Sequence, residues 1–260
     1  MNKSSEIRVR DLHKRFDESQ PEVLRGVSID FPPGKLTYIL GPSGTGKSVL
    51  IKHVLGLLHP DQGSVNVDGV EITQLGHKDL QQYRTKIGML FQNSALFDDM
   101  TVFDNVAFPL LEHTDLSAEE IHEKVVKTLA ILGMKEGLKK FPFELSGGMK
   151  KRVGLARAII REPSILLYDE PTTGLDPVTR STVDDLIDQL KRNLGLTSVV
   201  ISHDIPSALR LADHIIFLFG GEVIFHGTSQ EFRKASHPKI REFLDAENRS
   251  AALLFAQEQN

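Results

Sequence analysis

The sequence predicts an α/β domain: a mostly parallel sheet covered by helices, with an accessory antiparallel β subdomain and an inserted helical subdomain. Three observations predict it. Short segments such as Leu36–Leu40, Ser164–Tyr168 and Leu196–Ser202 are nearly continuous apolar runs, as strands buried on both faces are. They alternate with stretches of helical period, the order that a parallel sheet requires. A long helical stretch, about 93–161, separates two strand-like segments, Lys86–Phe91 and Ser164–Tyr168.

Taken in order, Ile7–Leu12 and Val27–Phe31 read as strands, and Pro32-Pro33-Gly34-Lys35 as a turn. Leu36–Leu40 is an apolar strand that runs into a glycine-rich segment, and Val49–Leu58 follows as a helix. Pro60–Gly63 breaks that helix, and Ser64–Gly69 alternates like a half-exposed strand ending in an Asp-Gly turn. These early strands read as antiparallel and accessory. In the inserted stretch Ser117 and Glu120 have capping-box spacing, and Ile121, Val125, Leu129 and Leu132 fall on one helical face. Val183, Leu186, Ile187 and Leu190 form another such stripe. Leu196–Ser202 is a strand, Pro206–Leu211 a short helix, His214–Phe219 a strand, and Gly220-Gly221 turns into Glu222–His226. The segment Asn248–Asn260 is polar except for Leu253-Leu254-Phe255, a frayed tail or a small docking segment.

Composition narrows the possibilities. The 260 residues carry 35 acidic and 31 basic side chains, a net charge of −4, which argues against a globally basic nucleic-acid binder; no nucleic-acid partner is expected. There is no cysteine, so disulfides, thiolate catalysis and Cys-ligated metal centres are excluded. No run approaches the length of a membrane span. Met1–Arg10 is polar and lacks the apolar core of a secretory signal.

The chemistry concentrates at two places. Gly41-Pro42-Ser43-Gly44-Thr45-Gly46-Lys47-Ser48 matches G-x-x-x-x-G-K-S between a strand and a helix, the context a P-loop needs. Its amides would wrap a β-phosphate at a helix N-terminus. Lys47 would reach the β- and γ-phosphates, and the Ser48 hydroxyl would ligate Mg²⁺. Ser164–Tyr168 then ends in Asp169-Glu170, two carboxylates at the carboxyl end of a strand, where ligands of parallel sheets bind. Asp169 is placed to bind Mg²⁺ and Glu170 to act as general base toward water.

A third motif carries a resemblance. Leu145-Ser146-Gly147-Gly148-Met149, followed by Lys150–Ala158, resembles the signature of the ABC-transporter ATPase family. A P-loop, this signature and the Asp-Glu strand end occur in that family's order, over about residues 5–230. Independently of the resemblance, Ser146, Gly147 and Gly148 open a helix, whose amides form a second anion site or whose serine is simply a cap. The resemblance implies ATP and Mg²⁺ as ligands, with Gly41 through Ser48 and the adjoining Val49 contacting nucleotide. It implies that Phe16, otherwise a core phenylalanine, stacks on adenine. Gln92 is similar to the glutamine that touches Mg²⁺ and water. Asp176, in Gly174-Leu175-Asp176-Pro177, is similar to the acid of a loop crossing the dimer interface. His203 is similar to the histidine that contacts the γ-phosphate and holds Glu170. In the family the signature of one domain closes over ATP on the other, so a homodimer of ATPase subunits is expected.

The stretch after Gln92, Ser94–Leu110 with Glu112-His113-Thr114, resembles the ATPase of Mla-type phospholipid transporters, as does Pro238–Leu244. That resemblance implies an integral-membrane permease dimer and an MCE-domain protein as partners, a small STAS-domain subunit as a further one, and a peripheral place on the cytoplasmic face of the inner membrane. It also implies that the tail reaches a neighbouring subunit. The alternative is the ATPase of an importer or exporter of another solute. Physically, Leu96, Phe97, Met100, Phe103, Phe108 and Leu110 are an apolar set, divided between subdomain core and partner docking. The expected organisation is one nucleotide-binding domain, 1–236, its helical subdomain at about 93–161, and a C-terminal extension, 237–260.

Overall fold

The computed structural model describes residues 4–246. Along the chain they form β1 (Ile7–Lys14), β2 (Leu24–Phe31), β3 (Leu36–Leu40), α1 (Lys47–Val54), β4 (Gln62–Val67), β5 (Val70–Glu71), α2 (His77–Arg84) and β6 (Ile87–Leu90). There follow α3 (Val102–His113), α4 (Ala118–Ile131), α5 (Gly147–Ile159), β7 (Ile165–Asp169) and α6 (Pro177–Leu194). The last elements are β8 (Thr197–Ile201), α7 (Ile205–Leu211), β9 (His214–Phe219), β10 (Glu222–Gly227) and α8 (Ser229–Lys234), with a further helical stretch over 238–246. The segment Leu253-Leu254-Phe255 lies outside the described residues.

Two sheets result. One is antiparallel, in the order β2-β1-β4-β5; the other has six strands in the order β10-β9-β3-β8-β7-β6. The second is parallel except for β10, which returns antiparallel along β9 through the Gly220-Gly221 turn. Side chains alternate across a strand, and here both faces are buried. Tyr38, Leu166, Tyr168 and Val200 face a core built with α3–α6, while Ile39, Leu167, Val199 and Ile201 face a second core. That second core is completed by Leu50 and Val54 of α1 and by Ile7, Val9 and Val65 of the antiparallel sheet. This two-sided burial explains why the central strands are unbroken apolar runs rather than alternating ones.

The helical insertion sits between β6 and β7, which are nevertheless paired, Leu90 opposite Tyr168. Ser117 caps α4 as its spacing predicts: its hydroxyl accepts from Glu120 N at 3.3 Å, and Ser117 N donates to Glu120 Oε2 at 2.8 Å. Ile121, Val125 and Leu129 are the buried face of that helix. The structure moves α1 relative to the expected Val49–Leu58. The helix begins at Lys47, because Gly46 holds the left-handed conformation that starts it, and ends at Val54, before the turn at Gly56. Among the described residues of the final segment, Ile240 is fully buried and Phe243 meets Phe217 at 5.0 Å, so this part packs on the main core.

Candidate functional site

The strands β3, β8, β7 and β6 are adjacent and parallel, so their carboxyl ends share one edge. That edge gathers the Gly41 loop after β3, His203 after β8, Asp169 and Glu170 at the end of β7, and Gln92 after β6. Residues more than 160 positions apart in the chain (41 and 203) are thereby brought together, at the place where parallel sheets bind ligands.

The glycine-rich loop is built to present amides. Gly46 has φ +99, and a Cβ there would meet Leu24 Cδ2 at 2.7 Å and Val23 O at 2.9 Å, so no other residue fits without displacement. The helices α3 to α8 each have a side chain accepting their first-turn N–H groups; α1, behind Gly46, has none. Its free N–H groups and helix dipole point a partial positive charge into the loop. Lys47 is buried and donates to Gly41 O at 2.7 Å and Pro42 O at 2.9 Å. Burial pushes its ammonium pKa down, and the charges of Glu170 and Asp169 push back. Ser43, Gly44, Lys47, Ser48, Val49 and Glu170 line one cavity of ≈ 260 Å³ together with Val23 and Ile201.

Glu170 is the most constrained residue of the group. It has φ +48, a left-handed conformation that non-glycine residues adopt at a cost and that concentrates at functional sites. Its N–H donates to Ile201 O at 2.9 Å, and its Oε2 accepts the Thr173 hydroxyl at 2.9 Å and lies 2.9 Å from His203 Nδ1. Burial, and then the charge of Glu170, push the neighbouring Asp169 carboxyl up. Two acids so close favour a cation between or beside them, and with the Ser48 hydroxyl they offer the hard oxygen donors that Mg²⁺ takes. Thr173 and Val23 are two site residues the motifs did not point to. Thr173 is legible only once Glu170 is known to turn back toward it; Val23 carries no chemical signal at all.

Phe16 is 59% exposed, which excludes a core role, with Lys14 Nζ 5.8 Å from its ring centre. The Gln92 side chain is exposed beyond β6, while its carbonyl accepts from the ammonium of Lys151. The signature residues stand apart. Ser146 accepts from Met149 N at 3.3 Å and caps α5; Asp176 caps α6, accepting from Val178 N and Thr179 N at 3.0 Å each. The Thr179 hydroxyl, first, and then the amides hold the Asp176 carboxyl below the usual range. Ser146 and Gly148 line a separate cavity of ≈ 320 Å³ with Val178 and Thr179, and it shares no residue with the phosphate-loop cavity. Val178 there is 78% exposed.

The apolar set after Gln92 is divided. Leu110 is buried in the helical core, and Leu96 and Phe103 pack against it. Phe97 and Phe108, ring centres 5.0 Å apart, instead line an open groove of ≈ 520 Å³ with Phe91, Met89 and the side chains of Arg84 and Arg161. Among the described residues no helix is long and apolar enough to cross a membrane.

The chain is similar to known proteins over most of its length. The family pattern described as "ABC transporter" matches residues 24–173. The intermembrane phospholipid transport system ATP-binding protein MlaF of Escherichia coli (strain K12) is 43% identical over 239 residues, 92% of this chain and 88% of that one. MlaF of Haemophilus influenzae is 39% identical over 242 residues, 93% and 91% of the two chains. The probable ribonucleotide transport ATP-binding protein mkl of Mycobacterium leprae is 40% identical over 239 residues, 92% of this chain and 68% of that one. Among solved structures, the dimeric post-hydrolysis state of the ATP-binding cassette MJ0796 bound to ADP and Pi matches with a TM-score of 0.78 and 30% identity, over 86% of this chain and 98% of that one. The cbiO1 protein of Clostridium perfringens, part of an ABC transporter complex, matches with a TM-score of 0.81 and 30% identity, over 92% and 98%.

Proposed function

The chain belongs to the ABC-transporter ATPase family, as an ATP-hydrolysing subunit, and from that premise we propose that it powers phospholipid transport between an inner and an outer membrane. The observation that carries this reading is the likeness to two MlaF proteins across about nine-tenths of each chain. It would sit on the cytoplasmic face of the inner membrane, bound to a permease dimer that works with an MCE-domain protein. A small STAS-domain subunit is a further partner of this reading. The groove around Phe97 and Phe108 is the surface for the permease, because it is apolar, open and adjoins Gln92.

In this reading Gly41 through Val49 cradle the phosphates and Lys47 turns its ammonium to the β- and γ-oxygens. Phe16 supplies an exposed face for adenine. Ser48, Asp169 and Gln92 would hold Mg²⁺, which when bound offsets phosphate charge. Glu170 takes the proton of the attacking water, and His203 and Thr173 fix the carboxylate that receives it. The separation of the two cavities argues for a homodimer. Within one chain none of Ser146, Gly147, Gly148 and Asp176 lines the phosphate-loop cavity, and a two-fold partner would bring its own set across the seam.

Cargo is the open alternative, since mkl is named for ribonucleotide transport and is also about two-fifths identical. Purification of the tagged full chain from membranes, with mass spectrometry of what accompanies it, separates the readings. A permease with an MCE-domain protein is expected; a permease with a soluble solute-binding protein would reject phospholipid transport.

A further inference from the structure

The face of α5 that meets the loop after β6 carries three residues at intervals of three: Lys151, Gly154 and Arg157. Each grips that loop. The Lys151 ammonium donates to the carbonyl of Gln92 and, at 3.4 Å, to that of Glu170. A Cβ on Gly154 would stand 2.9 Å from Leu90 Cδ1 and 3.1 Å from Ser94 Cβ, so the loop lies directly against the helix backbone. Arg157 donates to Ser94 O at 2.9 Å and covers the Phe97 ring at 5.5 Å. The loop so held is strained: Ser94 has φ +58 and Ala95 φ +45. Such conformations persist only when the surroundings impose them.

Lys151 is the unusual member. It is 5% exposed, and no carboxylate side chain pairs with it among the described ion pairs. Burial pushes its ammonium pKa down, opposed by the more distant charges of Asp169 and Glu170. Burying an ammonium is costly, and an apolar side chain of the same length would serve packing better. What the ammonium adds is one fixed positive charge between two backbone carbonyls. One belongs to Gln92, where the helical insertion begins; the other belongs to Glu170, at the end of a core strand.

We propose that Lys151 is a positioning residue for ATP hydrolysis: by tying the Gln92 and Glu170 carbonyls to one ammonium, it sets the separation of the Gln92 amide and the Glu170 carboxylate across the attacking water. The proposal rests on the reading of those two residues as site residues given above. It assigns to the signature helix a direct hold on the hydrolytic groups of its own chain, besides the amides it offers to a partner's nucleotide.

The test uses the full chain purified with its membrane partners, as wild type and as the variants Lys151→Met, Lys151→Arg and Glu170→Gln. Removing the charge in Lys151→Met should lower kcat by ~10-fold or more, since a small misplacement of reacting groups has effects of that order. KM for ATP and affinity for a fluorescent ATP analogue should stay within about two-fold, the pattern of an interaction used in the transition state. Lys151→Arg, which keeps charge and donors, should recover most of the lost kcat. Wild-type kcat in Lys151→Met, a parallel loss of ATP affinity, or an Lys151→Arg variant as slow as the Met variant would each overturn the proposal. Turnover by Glu170→Gln would instead sink the site reading beneath it; an inactive Glu170→Gln beside a fully active Lys151→Met rejects the role of Lys151 alone.

Discussion

His203 Nδ1 and Glu170 Oε2 lie 2.9 Å apart, and that same oxygen accepts the Thr173 hydroxyl. Two side chains from different loops therefore hold one carboxylate oxygen of a residue that has φ +48 and lines the phosphate-loop cavity. Glu170→Gln keeps the shape and removes the base. Steady-state ATP turnover should fall by ~100-fold or more, ATP binding should persist, and ATP should trap a dimer visible by light scattering. Near-normal turnover with the permease bound would remove Glu170 from its role.

Thr173→Val deletes one of the two holds on Oε2 while keeping side-chain volume. We expect kcat to drop by ~10-fold, the scale seen when an orienting partner is lost, with ATP affinity unchanged. An unaltered kcat would show that His203 alone fixes the carboxylate.

Lys47→Ala removes the buried ammonium of the glycine-rich loop. Charge-assisted bonds to phosphate contribute about 2–3 kcal/mol, so ATP affinity measured by calorimetry should weaken by ~30–150-fold. Unchanged affinity and rate would undo the phosphate-loop reading.

Phe97→Glu places a charge in the open groove without touching either cavity. Phe97 is 40% exposed, so the loss of its ring contacts with Phe108 and Arg157 should destabilise the chain by only about 1–2 kcal/mol. Co-purification with membranes should be lost. Retained membrane association at wild-type yield would place the permease contact elsewhere.

The antiparallel sheet contains a pH-dependent contact. His13 Nδ1 lies 3.0 Å from Glu22 Oε2 and Nε2 3.3 Å from Asp11 Oδ1. Its hydrogen bond to Glu22, first, raises the imidazole pKa above 6.5, against the effect of burial. A raised folded value means that the added stability is complete below the unfolded pKa and is lost as pH rises through the folded one. The difference in melting temperature between wild type and His13→Gln should therefore be larger at pH 6 than at pH 9. A difference independent of pH would mean that the ring acts by packing alone.

Local chemistry made much of this site legible in the sequence. The Gly41–Ser48 loop, the Asp169-Glu170 strand end and the Ser117–Glu120 cap are each set by neighbours within a few residues, so spacing reveals them. Where contacts are distant, the sequence is silent. Lys151 acts on a carbonyl 59 positions away, and nothing in its own neighbourhood separates it from the half-buried Lys150. The helix α2 was not anticipated because it buries only Leu80 and Tyr83, too few for a periodic stripe. The strand order is also hidden, since β3 finds β8 and β9 as partners only through long-range pairing.

Helix α5 ends as the crossover between β6 and β7, and its last half is wedged on the sheet: a Cβ on Gly88 of β6 would meet Ala158 O at 2.3 Å, and Gly154 abuts Leu90. The first half is held as closely: a Cβ on Gly148 would meet Thr179 Cγ2 at 2.6 Å, and Arg152 donates to Leu132 O at 3.0 Å. At 1.5 Å per residue, Ser146 stands ~12 Å along the axis from Gly154, and Lys151 ~4.5 Å. Clamped along both halves, α5 is a strut that fixes how far the signature serine stands from the β6 edge.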